Sequence, residues 1–407
     1  MIEDHTREHD EAPLLASPHK FKLAVFAFNG SGGLTITSAD GPPEVSWEES
    51  KRIAVMADEA GLDAIIPIGR WRGFGGDLNF NHRSFETFTW AAAVAAVTEK
   101  IHVFATFHVP TVHPVRAAKE VATIDHISGG RFGLNILAGW NEAEISMFGL
   151  TQRDHDERYD YAEEWTEFVL RMWEEDEEFD WKGKYFDSPG AYSDPKPIQK
   201  GRPTLMSAGV SPRGREFATK YADLNFILVP SLDQAPPLVA EIKAKGRENG
   251  RNIQVFNNSY IVCGDTEKEA KDLLRYYVGE KGDWDGAWNL INNLIPNSNS
   301  ASADEFRSMA FNFIAGYSGA PLIGSPEQVV DGMLKMSEAG IDGVTVGWLD
   351  YEEGIRNYTE QLQPLMVEAG LREEAPLTDF QSRTELAAEH YAGERIVSEL
   401  NVEMGLQ

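Results

Sequence analysis

The stretch IHVFATFHVPTVHPVRAAKEVATIDHISGGRFGLNIL, residues 101–137, reads as a strand, a helix and a second strand. The strands fall at 101–107 and 131–137, the helix at about 114–127. Strands alternating with helices are the repeating unit of a parallel α/β sheet. The alternation runs outward in both directions. Upstream lie a strand at 21–28, a helix opened by Ser46 and Glu49 at capping-box spacing, and a strand at 62–68. A glycine-rich loop at 69–81 then leads to a helix at about 85–98. Downstream comes an insertion with a helix at 156–173. Strands at 203–207, 224–229 and 254–262 follow, with helices from about 211 and over about 235–248. A helix at 326–338 and a strand at 343–348 complete eight βα units, and a helix at 351–369 follows. Eight units predict an α/β fold of the (β/α)8 TIM-barrel type, with insertions. The rival is an open doubly wound sheet. It is weakened because no GxGxxG follows the first strand.

A single barrel of roughly 250 residues with insertions can reach the 407 residues present. Residues 1–20 lack periodicity and predict a flexible arm. The barrel is expected over 21–371, with a C-terminal extension at 372–407. Residues 281–317, rich in Asn, Ser and Trp, read as a long functional loop over the mouth.

Composition narrows the function. The net charge of −28 repels phosphates, which argues against nucleic acid or an anionic membrane as partner. The one cysteine, Cys263, sits in an apolar run and offers no disulfide or cysteine zinc site. His108 and His113 do not match the HExxH spacing, so no metal is expected. The first 20 residues lack the apolar core of a signal peptide, and the longest apolar run, 90–97, is too short to span a bilayer. A cytoplasmic protein is expected.

In a barrel the site lies at the C-terminal ends of the strands. That rule selects Arg70 and the run Arg72-Gly73-Phe74-Gly75-Gly76 after strand two. After strand three it selects His108, Thr111 and His113. Strand four contributes Asn135, then Gly139, Trp140, Asn141 and Glu144; Trp140 suits a site wall. Arg158 and Tyr159 open the next helix. After strand five, Ala208, Gly209 and Ser211 combine a glycine turn, a hydroxyl and a helix N-terminus, a set suited to phosphate. A strand-end glycine taken singly also reads as a plain turn, and a histidine in a proline-rich loop as a structural residue.

Three strings, in this order, then stand out. The first is Ile124-Asp125-His126-Ile127-Ser128-Gly129-Gly130-Arg131-Phe132-Gly133-Leu134-Asn135, with Ala138-Gly139-Trp140-Asn141 behind it. The second is His155-Asp156-Glu157-Arg158-Tyr159. The third is Pro195-Lys196-Pro197 followed by Ala208-Gly209 and Ser211. Together they resemble the bacterial luciferase-like flavin monooxygenases, over residues 21–371. Within that family, Arg72-Gly73-Phe74-Gly75-Gly76 is similar to the pyrimidine oxygenase branch, whereas His108 and His113-Pro114 are similar to the dimethylsulfone monooxygenases. Riboflavin lyase is a related branch.

The resemblance implies a two-component system. A separate NAD(P)H-dependent flavin reductase supplies FMNH2, O2 is co-substrate, and a small N-heterocycle, cyclic amide or sulfone is oxidised. A homo-oligomer, dimer or tetramer, is implied too. By similarity, Asn135 and Glu144 lie in the flavin pocket, and Gly69 and Arg70 line the flavin edge. Tyr159, Ser211 and Gly209 hold the phosphate, with Arg158 at the helix start. Thr111 and His108 stand near the reactive face. A neutral imidazole there could donate a hydrogen bond or take a proton. The alternatives are a flavin-cleaving, riboflavin lyase-type enzyme, a deazaflavin-dependent oxidoreductase on the same barrel, or a non-catalytic flavin binder.

Overall fold

A computed structural model describes residues 13–294 and 302–373. Its sheet closes on itself through eight parallel strands: β1 (Lys22–Phe26), β2 (Ala64–Ile66), β3 (His102–His108), β4 (Phe132–Leu137), β5 (Thr204–Ser207), β6 (Leu224–Ile227), β7 (Gln254–Cys263) and β8 (Gly343–Val346). Closure runs through Lys22 opposite Gly343 and Phe256 opposite Gly343. The helices between strands cover the outside, so the strands are buried on both faces. Alternate side chains point inward. Ala24, Phe26, Ala64, Ile66, Phe104, Met206, Leu224, Phe226 and Phe256 fill the barrel.

The N-terminal arm departs from expectation where it is described. Leu14 and Leu15 are buried with the barrel-lining side chains, and Ser17 Oγ donates to Asp63 just before β2. Two leucines gain more by entering the open floor of the barrel than by staying in water. Residues 1–12 of that arm, and 374–407 of the C-terminal extension, lie outside the described residues. Arg372 belongs to the barrel. Its guanidinium meets Asp63 at 2.6 Å and the Gly61 carbonyl at 2.6 Å.

Two residues of the first family-like string, Asp125 and Arg131, prove to be scaffold. Asp125 Oδ2 accepts from the backbone N–H of Ile198 (2.7 Å) and Gln199 (2.9 Å), tying the Pro195–Pro197 segment to the helix Pro114–Ser128. Arg131 donates to the carbonyls of Ile101, Thr98 and Ala95. Each bond satisfies a buried backbone group that would otherwise be costly.

The segment 281–317 is not an irregular loop. It carries the helices Trp284–Leu294 and Ala303–Gly316; residues 295–301 lie outside the description. A further helix, Glu267–Leu274, and a π turn, Arg275–Glu280, precede them. Asparagine and glycine in WDGAWNLINNL obscured the periodicity, yet Ala287, Leu290 and Ile291 share one buried face. Ser302 and Glu305 form a capping box that starts the second helix. These helices pack with Phe74 and Phe80 from the glycine-rich loop into a separate apolar cluster. Ile36 N donates to Ile314 O, and Leu78 N donates to Asp283 Oδ2 (2.9 Å). The insertion therefore packs on the loops that follow β1 and β2 at the C-terminal mouth. The sequence reading missed the strand Ala320–Gly324, paired to the outer half of β7. It also missed the hairpin Phe179–Lys182/Asp187–Ala191, whose second strand, DSPGA, reads as a turn. At the first helix only half of the capping box forms. Ser46 accepts from Glu49 N, while the Glu49 carboxylate turns to the N–H groups of Glu44 and Val45.

Candidate active site

Glu144 is the centre of the mouth. The short helix Glu142–Met147, capped by Asn141, turns its carboxylate inward, where it is fully buried. Oε1 accepts from Arg70 Nη1 (3.1 Å), Trp71 N (2.9 Å) and Arg72 N (3.3 Å). A buried carboxylate needs such a partner; removing one side of a buried ion pair typically costs about 3–5 kcal/mol. The Arg70 guanidinium lies 4.9 Å from the Phe74 ring centroid and 5.0 Å from that of Trp140. Those rings are parallel within 6°. Trp140 also meets the His108 ring edge-on, at 6.2 Å.

His108, at the end of β3, places Nε2 3.5 Å from Glu144 Oε2. Both ring nitrogens, Glu144 Oε2, Arg70 Nε and Asn135 Oδ1 are buried without a hydrogen-bond partner of normal geometry. Each such group costs about 1–3 kcal/mol unless something satisfies it. Five of them in one place mark a binding site. Burial pulls the His108 imidazole down to about 4, against the pull of Glu144 and with that of Arg70. At neutral pH it therefore offers one N–H donor and one acceptor.

That shift carries a pH signature. In the unfolded chain His108 titrates near 6.5, in the fold at about 4. As pH falls the unfolded state takes the proton first. The contribution of His108 to stability is thus intact above 6.5 and is lost between 6.5 and 4, at up to about 1.4 kcal/mol per pH unit. Urea unfolding at pH 7, 6 and 5 should show His108→Gln losing less stability on acidification than wild type. Equal losses would contradict the burial argument.

Asn135 and Thr106 are direct neighbours on β4 and β3, and Asn135 Nδ2 meets Thr106 Oγ1 at 3.2 Å. Thr106 is a site residue the sequence reading passed over, because a threonine within a strand reads as an ordinary β-former. Thr111, singled out instead, spends its hydroxyl on the His108 carbonyl (2.7 Å) in a 3-10 turn. It does share a small cleft with Gly69, Arg70 and Thr106. Tyr317, also missed, ends the second insertion helix with its hydroxyl in the field of Arg70 and Glu144.

A second group lies after β5. Ser211 caps the helix Pro212–Tyr221, accepting from Gly214 N (3.0 Å), and its side chain bonds the Tyr159 hydroxyl. A Cβ on Gly209 would lie 2.5 Å from the Gly214 carbonyl oxygen, and one on Gly214 would lie 2.5 Å from the Tyr159 hydroxyl. The turn is therefore open to backbone and hydroxyls alone, a cradle that fits a phosphate at a helix N-terminus. Arg158 donates to Gly139 O (2.8 Å) and holds the turn that carries Trp140, while its Nε stays buried and unpartnered.

Residues 21–343 match the family model described as luciferase-like monooxygenase. The chain is 30% identical over 353 residues to pyrimidine monooxygenase RutA of Acinetobacter baylyi, covering 85% of this chain and 94% of that protein. It is 28% identical over 356 residues to the FMNH2-dependent dimethylsulfone monooxygenase of Pseudomonas putida, covering 85% and 95%. Among solved structures, riboflavin lyase RcaE superposes with a TM-score of 0.78 at 21% identity, covering 88% of this chain and 94% of that one. Long-chain alkane monooxygenase LadA superposes with a TM-score of 0.77 at 22% identity, covering 88% and 93%. With the closed barrel, the covered mouth and this match over most of its length, the chain belongs to the luciferase-like monooxygenase family.

Proposed function

We propose that this chain, a flavin-dependent monooxygenase by family, takes FMNH2 from a separate NAD(P)H-dependent flavin reductase. With O2 it then oxidises a small N-heterocycle, cyclic amide or sulfone in the cytoplasm. The observation that carries the reading is the set of buried, unpartnered polar groups on Arg70, His108, Asn135 and Glu144. They share the mouth face with the glycine-lined helix start at Ser211. When bound, FMN would supply the electrons that reduce O2, one oxygen atom going to substrate and the other to water.

The residues divide the remaining work. Ser211, Tyr159 and the backbone around Gly209 hold the phosphate, by hydroxyls and free N–H groups. Asn135, Gly69, Arg70 and Glu144 present donors and acceptors to the ring system. Neutral His108 donates a hydrogen bond, or accepts a proton, beside the reacting atoms. Phe74, Trp140 and the insertion exclude water from the mouth.

The test is incubation with FMN, NADH and a generic flavin reductase, screening uracil, dimethylsulfone, pyrazines and riboflavin while O2 uptake is followed. Product formed only with reductase and O2 is expected. Turnover of riboflavin alone would favour the flavin-cleaving alternative. Activity with a deazaflavin and no O2 would overturn the monooxygenase reading. Binding of FMN without any turnover would point to a non-catalytic flavin binder.

A further inference from the structure

The helix Ala303–Gly316 ends in two consecutive residues with left-handed backbone, Tyr317 (φ 51°) and Ser318 (φ 56°). Neither is glycine or asparagine, and side chains other than those rarely accept this conformation. Such strain persists only where the surroundings impose it. Here they do. Asn258 Nδ2, fully buried on β7, donates to the carbonyls of both Gly316 (3.2 Å) and Tyr317 (3.0 Å). Asn258 Oδ1 in turn accepts from Thr345 Oγ1 on β8 (3.0 Å). Two barrel strands thus grip the peptide that carries Tyr317.

The grip aims the side chain. Tyr317 packs against the barrel-lining cluster and the insertion cluster at once, with Phe80 and Phe313 beside its ring at 6.4 and 5.8 Å. Its hydroxyl stands in the field of Arg70 and Glu144 and has no hydrogen-bond partner among the described residues. The residue is only part-buried, so this O–H stays available to a ligand.

We propose that Tyr317 is a specificity-determining residue, donating its phenol O–H to an acceptor oxygen of the substrate across the mouth from the Arg70–Glu144 pair. The acceptor is a carbonyl or sulfonyl oxygen, chemistry that cyclic amides and sulfones share. Burial raises the phenol's pKa, which keeps the proton in place for donation. The inference rests on the monooxygenase reading above and assigns it a substrate contact.

The experiment compares wild type, Tyr317→Phe and Tyr317→Asn, each loaded with FMN. Flavin affinity is read by fluorescence quenching, and binding of uracil (carbonyl) and dimethylsulfone (sulfonyl) by calorimetry. Phenylalanine keeps the ring packing and removes only the donor. It should weaken binding of at least one probe about ten-fold, the loss of one hydrogen bond, with FMN affinity unmoved. Asparagine tolerates left-handed backbone, so Tyr317→Asn should still fold and bind FMN while losing the probe as well. Wild-type probe affinity in Tyr317→Phe overturns the proposal. So does a wild-type protein that binds FMN but neither probe, or an equal loss of FMN and probe in the phenylalanine variant. Absence of FMN quenching by wild type would sink the flavin reading itself, and this proposal with it.

Discussion

Replacing His108 by alanine is expected to lower turnover by roughly 10²–10⁴-fold, the usual span for a lost general acid or base. The imidazole sits 1% exposed at the end of β3, walled by Trp140 and facing Glu144. Among the described residues its nitrogens make no hydrogen bond of full geometry, only looser contacts with the Gly69 backbone and with Glu144 at 3.5 Å. A histidine kept for packing would normally tie at least one nitrogen to a neighbour. FMN affinity should change little in the variant, because the proposed phosphate cradle lies elsewhere, at the turn after β5, the start of the helix Pro212–Tyr221 and Tyr159. His108→Gln restores a donor and an acceptor of similar reach and separates loss of chemistry from loss of packing. If alanine leaves substrate oxidation near wild type, or if both variants fail to fold, His108 is a structural residue.

The double variant Ser211→Ala, Tyr159→Phe carries the other large effect. On the proposed phosphate site, each substitution removes a hydrogen bond to a charged acceptor, worth about 1.5–3 kcal/mol. Together they should weaken FMN binding by roughly 10²–10⁴-fold. The two hydroxyls bond each other in the free protein, so the single variants should not add up to the double. Fluorescence titration with FMN and with riboflavin, which lacks the phosphate, separates the readings. Riboflavin affinity should barely move. A double variant with unchanged FMN affinity would rule out this phosphate site.

The barrel was legible because its signal is long range. Eight apolar strands separated by helices leave a pattern that small boundary errors cannot erase. The site was legible where its residues lie at or beyond a strand end, as Asn135, His108, Arg70, Trp140 and Glu144 do. Thr106 was not, since within a strand a threonine is simply a good β-former. Tyr317 was hidden by the aperiodic look of the asparagine-rich insertion, and the grip of Asn258 on its backbone is a tertiary fact with no local trace. The strings that made the family recognisable tell a different story. Asp125 and Arg131 satisfy backbone groups on the flank of the barrel. These two identify the scaffold, whereas Asn135, Trp140, Tyr159 and Ser211 of the same strings lie at the candidate site.

The contact between the glycine-rich loop and the insertion has a consequence for how such a mouth can diverge. Asp283 holds Leu78 N with one oxygen and Gly286 N with the other, and any Cβ on Gly76 would lie 2.5 Å from Gly286 N. A side chain at Gly76 would therefore push the insertion off its seat, and a shifted helix start would unseat Phe74. The two segments, about 200 residues apart in the chain, form a single heritable module. A chimera that borrows one of them from a relative with a different substrate inherits a mismatched lid. Only an exchange of both carries the pocket across intact.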